Sequence, residues 1–356
     1  MRILVVASHS GGHILPAVAF CQGLKDKDNS FDIKFITTDG QLERQIIGNG
    51  VDAVFFKKRK VAFLTSYRLL GLFFRVRALI HKLKPDLVVG FGGYLSIPFI
   101  ICAKLSGIPN FIHEQNVKLG LANWFLLGFA DKIVFSFPNT QVSDRIKAKS
   151  LFLGLPLRKE LKRIDKNEAR RYFDLDQDCF TILVTGGSQG SYRINNQVLE
   201  VLKDKDIYGI QVIHLTGSFE YERFVREYKT LNIKYKVFKF IERMDCAFSA
   251  ADLVITRAGA NTIAELVATR TAAVLIPYPY ARAHQLDNAR FLTDKAAALL
   301  IEDSRLDKDI LKETILDLKN NPQKLKIMSE KLAAIDMPDA RNKMAVLAWE
   351  LANARN

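Results

Sequence analysis

One short architecture occurs twice in this chain, and the doubling limits what the chain can fold into. Ile3-Leu4-Val5-Val6-Ala7 runs into Ser10-Gly11-Gly12-His13 and then a helical pattern from about Pro16, whose ring is tolerated in a first turn. Ile182-Leu183-Val184-Thr185 runs into Gly186-Gly187-Ser188-Gln189-Gly190-Ser191 in the same way. A buried strand, a glycine turn and a helix open a parallel α/β unit, because a crossover helix is what lets the next strand lie parallel to the first. A chain of 356 residues is too long for one ordinary core, so two nucleotide-type domains in tandem are expected.

Apolar runs continue the pattern. Strands are expected over 3–7, 33–37, 87–90, 108–112 and 132–136, then over 181–184, 210–215, 235–239, 253–256 and 273–277. A helix is expected over about 97–106, and the last 45 residues read as helical. The implied class is α/β, with doubly wound parallel sheets whose ligand crevice lies beyond the carboxyl ends of the strands. Near Pro156 the character changes: Arg158, Lys159, Lys162, Arg163, Lys166, Arg170 and Arg171 crowd a polar stretch, which places a domain boundary there.

The stretch Leu253 to Glu265 carries the clearest chemistry. Its strand meets a small-residue turn at Gly259 and a helix follows at once, so free backbone N–H groups and the positive end of the helix dipole meet at the turn. Such a terminus can hold a phosphate or diphosphate; the alternative is that Gly259 merely closes a strand-to-helix turn. Glu265, one helical turn further in, is placed to accept bonds from sugar hydroxyls, or else simply offsets the dipole.

Several function classes are disfavoured. Neither glycine loop is spaced Gly-x-Gly-x-x-Gly, which argues against a dinucleotide oxidoreductase. Cys21, Cys102, Cys179 and Cys246 lack paired spacing, against both a disulfide framework and a zinc site. Asp-x-Asp pairs at Asp26/Asp28, Asp174/Asp176, Asp176/Asp178 and Asp204/Asp206 sit in polar segments away from the glycine turns and read as solvated acids, so no obligatory metal and no cofactor are expected. Met1 to Ala7 is too short an apolar run for a signal peptide, and charge interrupts every longer one, against a membrane span. The net charge of +14 has a local home in Lys57-Lys58-Arg59-Lys60, followed by Phe63, Leu64, Tyr67, Leu69, Leu70, Leu72, Phe73 and Phe74 with Arg68, Arg75 and Arg77 interleaved. That stretch fits an interfacial element on an anionic membrane surface, or a core helix whose basic side chains snorkel. No nucleic-acid motif accompanies it, and no nucleic-acid partner is expected.

Seven motifs in order carry a resemblance over essentially the whole chain. They are Ser10 to Pro16, Gly90-Phe91-Gly92-Gly93-Tyr94, His113-Glu114-Gln115-Asn116, Gly186 to Gly190, Phe240-Ile241-x-x-Met244, Arg257-x-Gly259-Ala260 through Glu265, and His284-Gln285-x-x-Asn288-Ala289. In these the sequence resembles the MurG family of peptidoglycan glycosyltransferases, glycosyltransferase family 28. The resemblance implies a GT-B fold, two Rossmann-like doubly wound domains facing across a cleft. It further implies an acceptor- and membrane-associating domain over 1–155, a UDP-sugar domain over 156–335, and a terminal helix over 336–356 that packs back on the first domain. The implied reaction is inverting transfer of N-acetylglucosamine from UDP-N-acetylglucosamine to the muramic acid 4-hydroxyl of undecaprenyl-linked lipid I, forming lipid II. It is placed peripherally on the cytoplasmic face of the membrane, with cell-wall synthesis and division proteins as further partners.

By position, the resemblance makes His13 the catalytic base, where an imidazole has a suitable pKa, or alternatively a group that orients the loop or binds acceptor phosphate. Donor contacts are implied at Ser10, Gly11, Gly12, Asn123, Arg158, Ser188, Gln189, Ile241, Ala260, Asn261, Thr262, Glu265, His284, Gln285 and Asn288. Ile241 would meet uracil, Ala260 to Thr262 the diphosphate and Glu265 the ribose. Arg158 also reads as an exposed linker arginine. Acceptor contacts are implied at Gly92, Gly93, Tyr94, His113, Glu114, Gln115 and Asn116, with His113 and Glu114 also readable as a pair that holds the loop together.

The chain departs from the family where Ser8-His9-Ser10 replaces Gly-Gly-Thr, which lets His9 share the base role, and where Gly154-Leu155-Pro156 replaces Gly-Asn-Pro. Three rivals stand beside the main reading. They are a GT-B transferase acting on another lipid, a UDP-N-acetylglucosamine epimerase, and a silent membrane scaffold.

Overall fold

The computed structural model describes residues 1–8, 10–47, 51–57, 66–138, 140–187, 189–280 and 284–354. The chain divides into two compact units, Met1–Lys159 with Met337–Asn356, and Glu160–Asp336.

In the first unit, β1 (Arg2–Val6), α1 (Gly11–Lys27), β2 (Asp32–Asp39), α2 (Gln41–Ile47), β3 (Ala53–Lys57), α3 (Ser66–Leu83), β4 (Leu87–Gly90), α4 (Ser96–Leu105), β5 (Asn110–Glu114), α5 (Leu121–Leu126), β6 (Lys132–Phe135), α6 (Asp144–Lys147) and β7 (Ser150–Phe152) alternate almost strictly. The seven strands are parallel, in the order β3-β2-β1-β4-β5-β6-β7. The period-2 alternation of the strands sorts their side chains onto two cores. Ile3, Val5, Leu87 and Val89 face one, together with Phe111 and Val134. Leu4, Val6 and Val88 face the other, with Ile112, Ile133, Val76 and Ile80. A sheet covered on both faces explains why β1 and β4 read as continuous apolar runs.

The second unit repeats the plan with α7 (Lys166–Tyr172), β8 (Phe180–Thr185), α8 (Tyr192–Leu202), β9 (Ile210–Leu215), α9 (Tyr221–Tyr228), β10 (Lys234–Phe238), α10 (Met244–Ala250), β11 (Leu253–Thr256), α11 (Ala260–Thr269), β12 (Ala273–Leu275), α12 (His284–Thr293), β13 (Leu299–Leu300), α13 (Lys308–Asn320) and α14 (Pro322–Ala333). Its parallel order is β10-β9-β8-β11-β12-β13. The last helix, α15 (Ala340–Asn353), belongs to the first unit: Met344, Ala345, Leu347 and Ala348 are buried in the same core as Ala17, Phe20 and Leu24 of α1. Burying each large apolar side chain of that kind contributes roughly 1.5–3 kcal/mol.

Each sheet reverses its direction of growth once, between β1 and β4 and between β8 and β11. At such a switch point the loops leaving the two central strands diverge and open a crevice. The segments at these points join β1 to α1 and β4 to α4 in the first unit, and β8 to α8 and β11 to α11 in the second.

Several local expectations are corrected. The first helix begins at Gly11, so Pro16 lies in its second turn and cannot donate to the Gly12 carbonyl. The strand expected at 108–112 occupies Asn110–Glu114, because Pro109 lacks the N–H that a ladder position needs. His113 and Glu114 are therefore strand residues. The strands β3, β7 and β13 were not expected: the last two have only three and two residues, and β3 is a half-buried edge beside the basic run.

Candidate functional site

At the first switch point Ser10 is the extended N-cap of α1, and its carbonyl receives the amides of His13 (3.1 Å) and Ile14 (3.2 Å). This turn brings the His13 ring back over β1, where Nδ1 lies 3.0 Å from the Ser8 carbonyl oxygen and 3.3 Å from Ser10 Oγ. A carbonyl oxygen only accepts, so Nδ1 carries the proton and Nε2 the lone pair. The other wall of the switch point is the turn after β4, where Gly92 and Gly93 have φ of +90° and +78°. A Cβ on Gly92 would stand 3.1 Å from His13 Nε2 and 3.7 Å from Gln115 Oε1, so the missing side chain lets both residues approach this turn. Ser96 Oγ holds the Gly92 carbonyl at 2.8 Å, and Tyr94 is half-buried beside the turn.

The end of β5 forms a closed network. His113 is fully buried, donates from Nε2 to the Gly154 carbonyl (3.1 Å), and accepts at Nδ1 from Gln115 Nε2 (3.0 Å). Loss of water pulls its pKa down to about 4, so it is neutral. The buried Glu114 carboxylate accepts from the backbone and side-chain nitrogens of Asn116 (2.9 and 3.2 Å), from Gly120 N (2.9 Å) and from Asn123 Nδ2 (2.9 Å). Asn123 also donates to the His113 carbonyl at 3.0 Å. Four donors on one buried carboxylate make a loop anchor, and His113, Glu114 and Asn123 are turned inward. Arg158 is half-buried at the end of the first unit.

In the second unit Gly259, extended at φ −65° and ψ 147°, is the N-cap of α11. The first amide to find a partner within the helix is that of Ile263, on Gly259 O at 3.0 Å; the amides of Ala260, Asn261 and Thr262 precede it. Glu265 is half-buried one turn on. The loop before α11 is clamped by α12. Gln285 Oε1 accepts from the amides of Ala258 (3.2 Å) and Tyr278 (2.9 Å), and the fully buried Asn288 donates to the Ala258 carbonyl (3.2 Å). His284 begins that helix. Arg257, which the motif contained but to which no role was attached, is buried against the Ile276 carbonyl (3.1 Å) and paired with Asp303. Across the switch point lies the turn of Gly186 to Gly190, with Gln189 exposed. The buried Ile241 follows β10. Ser188 and His9 lie outside the described residues, as do Lys58 to Thr65 of the basic stretch.

Among the described residues no group of three or more His, Cys, Asp or Glu side chains is placed to hold a metal ion. The Asp-x-Asp acids are engaged elsewhere: Asp174 with Lys236 (3.1 Å), Asp176 with Lys234 (2.8 Å), Asp204 with Lys308 and Lys312 (both 2.9 Å), and Asp26 with Arg341 (3.1 Å). No helix among the described residues is long and apolar enough to cross a membrane. The α3 helix buries Val76 and Ile80 and turns Phe74 outward with Arg75 and Arg77.

Residues 3–135 match the glycosyltransferase family 28 N-terminal domain, and residues 181–344 match the glycosyltransferase family 28 C-terminal domain. A protein of Thermodesulfovibrio yellowstonii, "UDP-N-acetylglucosamine--N-acetylmuramyl-(pentapeptide) pyrophosphoryl-undecaprenol N-acetylglucosamine transferase", is 36% identical over 368 residues that cover 99% of each chain. The chain belongs to glycosyltransferase family 28. A protein of Desulforamulus reducens with the same name is 35% identical over 360 residues, 96% of each chain. The crystal structure of Acinetobacter baumannii MurG matches with a TM-score of 0.78 at 28% identity, over 98% of this chain and 100% of that one. This family 28 member is a glycosyltransferase, and its two parallel-sheet units are the Rossmann-like halves of a GT-B fold.

Proposed function

We propose that this glycosyltransferase moves N-acetylglucosamine from UDP-N-acetylglucosamine to the muramic acid 4-hydroxyl of lipid I, with inversion at the anomeric carbon, in peptidoglycan synthesis. The observation that carries this reading is the near-full-length identity to transferases named for that donor and acceptor. It also favours transfer to lipid I over transfer to another lipid or epimerisation.

Transfer from a nucleoside diphosphate sugar needs in-line attack by an oxygen, stabilisation of the charge on the departing diphosphate, and a base for the attacking hydroxyl. In this reading the second unit takes the donor. The amides of Ala260, Asn261 and Thr262 and the dipole of α11 stabilise the diphosphate, with Ser188 and Gln189 on its other side, and this electrostatic role calls for no metal. Glu265 accepts from the ribose hydroxyls and Ile241 offers backbone to uracil. Gln285 and Asn288 serve through Ala258, which they hold, and His284 stands by the sugar. Ser10, Gly11, Gly12 and Arg158 are the donor contacts from the first unit.

The first unit takes the acceptor. Its hydroxyl hydrogen lies toward Nε2 of His13, with Gly92, Gly93, Tyr94, Gln115 and Asn116 around it. His113, Glu114 and Asn123 act by holding that loop. The unit works at the cytoplasmic face of the membrane as a peripheral protein: Phe74, Leu121, Trp124 and Phe125 are more than half exposed, Arg75 and Arg77 are exposed next to Phe74 in the chain, and exposed apolar and basic side chains of this kind favour anionic lipid.

The test is to incubate the purified protein with radiolabelled UDP-N-acetylglucosamine and lipid I and to count label in the lipid phase. Label that stays in water overturns the reading.

A further inference from the structure

A run of three buried polar side chains crosses the core of the second unit and ends beneath its glycine loop. Tyr228 of α9, His214 of β9 and Asn195 of α8 are at most 1% exposed. The Tyr228 hydroxyl lies 2.8 Å from His214 Nδ1, His214 Nε2 lies 3.2 Å from Asn195 Oδ1, and Asn195 Nδ2 donates to the Thr216 carbonyl at 2.9 Å. An amide oxygen only accepts, so His214 Nε2 carries the proton, Nδ1 accepts, and Tyr228 donates. All three bonds then point one way. Burial pulls the His214 pKa down to about 3 and pushes the Tyr228 hydroxyl up, so neither changes charge at ordinary pH.

Three polar groups in an apolar core are costly to desolvate, and leucine or phenylalanine would fill the space at less cost. What the relay secures is the place of one carbonyl. A Cβ on Gly190 would stand 2.0 Å from Thr216 O, and one on Gly217 would stand 2.5 Å from Gln189 O; both glycines have positive φ, +77° and +78°. Gly190 thus packs backbone against backbone on Thr216, and Gly217 on Gln189. Thr216 also donates from its amide to the Phe238 carbonyl at 3.1 Å, at the end of the strand that leads to Ile241. One residue therefore ties the diphosphate end of the proposed donor site to its uracil end.

We infer that Asn195, His214 and Tyr228 are positioning residues for the donor: their relay fixes the Thr216 carbonyl, and through it the glycine loop that meets the diphosphate. This rests on assigning the UDP-sugar to the second unit. The experiment measures UDP uptake by calorimetry, and KM for donor and acceptor with kcat, in wild type, Asn195→Asp, Tyr228→Phe and the double variant, with melting curves for each. Asn195→Asp keeps the size but sets a carboxylate oxygen against Thr216 O, and raises the UDP Kd and donor KM about tenfold while kcat and acceptor KM stay within about twofold. Tyr228→Phe removes one hydroxyl and raises both donor constants about threefold; in the Asn195→Asp background it adds nothing, because both act on one chain of bonds. A merely structural role lowers the melting temperature without this split. Folded Asn195→Asp that takes up UDP like the wild type overturns the inference alone, and if that variant does not fold, unchanged UDP uptake by Tyr228→Phe overturns it. A wild type that takes up no UDP overturns the donor assignment and the inference with it.

Discussion

The imidazole of His13 and the backbone carbonyl of Ser8 are joined at 3.0 Å, through Nδ1. The bond selects one tautomer of the neutral ring and makes Nε2, beside Gly92, the basic nitrogen. A backbone carbonyl here does what a carboxylate does in many acid–base pairs, and no side-chain substitution at Ser8 can remove it. If Nε2 takes the acceptor proton, His13→Ala lowers kcat by about 10²- to 10⁴-fold and leaves the UDP Kd within about twofold. Steady-state kinetics and calorimetry on one preparation check this, and near wild-type turnover removes His13 from the role.

Gly93 packs directly on the same residue. A Cβ there would stand 2.5 Å from Ser8 Oγ and 2.8 Å from Ser8 O, and the φ of +78° is strained for any other residue. Gly93→Ala must push Ser8 aside and with it the carbonyl that orients His13. Turnover falls at least about tenfold, as misplacing a catalytic group by a fraction of an ångström does, while UDP uptake is unchanged. Loss of UDP uptake instead would show that the substitution reaches the second unit.

The fold class was legible because its signal is local: Ile3 to Val6 and Ile182 to Val184 are continuous apolar strands that end in glycine turns, and a sheet covered on both faces requires such runs. Edge strands such as β7 and β13 bury too few side chains to leave a pattern. The succession of strand, turn and helix start from Leu253 to Thr262 was legible for the same reason, since all three lie in one contiguous stretch. The clamp of Gln285 and Asn288 on Ala258 was not, because it joins residues about thirty positions apart through backbone groups that no sequence displays. His113 shows the limit from the other side. Its identity marks it as a chemical candidate, but the ring lies inside the core, held there by the Gly154 carbonyl about forty positions away and by Gln115, which no local pattern displays.

Glu114 gathers its four donors from Asn116, Gly120 and Asn123 while almost wholly buried. Glu114→Gln replaces one accepting oxygen with an amide nitrogen that faces two of those donors. Charge-assisted bonds are lost and donors are left opposed, so the first unit loses about 2–4 kcal/mol. The expected result is a lower melting temperature with an unchanged UDP Kd. An unshifted melting curve would count against the anchor.

Two buried histidines give the protein an acid limb. His113 is held near a pKa of 4 and His214 near 3, both through desolvation, against 6.5 for a free imidazole. Below pH 6.5 the unfolded chain binds protons that the folded chain refuses, so stability is full above that value and falls as pH drops toward the folded pKa. His113 alone contributes a loss of about 3 kcal/mol by pH 4. Melting temperatures measured from pH 7.5 to 4.5 should fall steadily, and the ring signals of both residues should not titrate in the folded protein above about pH 5. A signal from either that titrates near 6.5 would show that its ring is hydrated.

The last prediction separates holding from touching at Gln285. Its Oε1 receives the amides of Ala258 and Tyr278, at 3.2 and 2.9 Å, so the oxygen keeps the β11–α11 turn in place. Were the residue to act chiefly by donating from Nε2 to a sugar hydroxyl, Gln285→Glu and Gln285→Leu would harm donor binding alike, since neither retains an N–H. If it acts by holding Ala258, a carboxylate serves, because it too accepts from both amides. Gln285→Leu leaves two amides without a partner and lets the turn move, which weakens donor binding about tenfold. Gln285→Glu should therefore stay within about threefold of wild type in donor KM while Gln285→Leu does not. Equal losses in the two variants would return the residue to direct contact with the sugar.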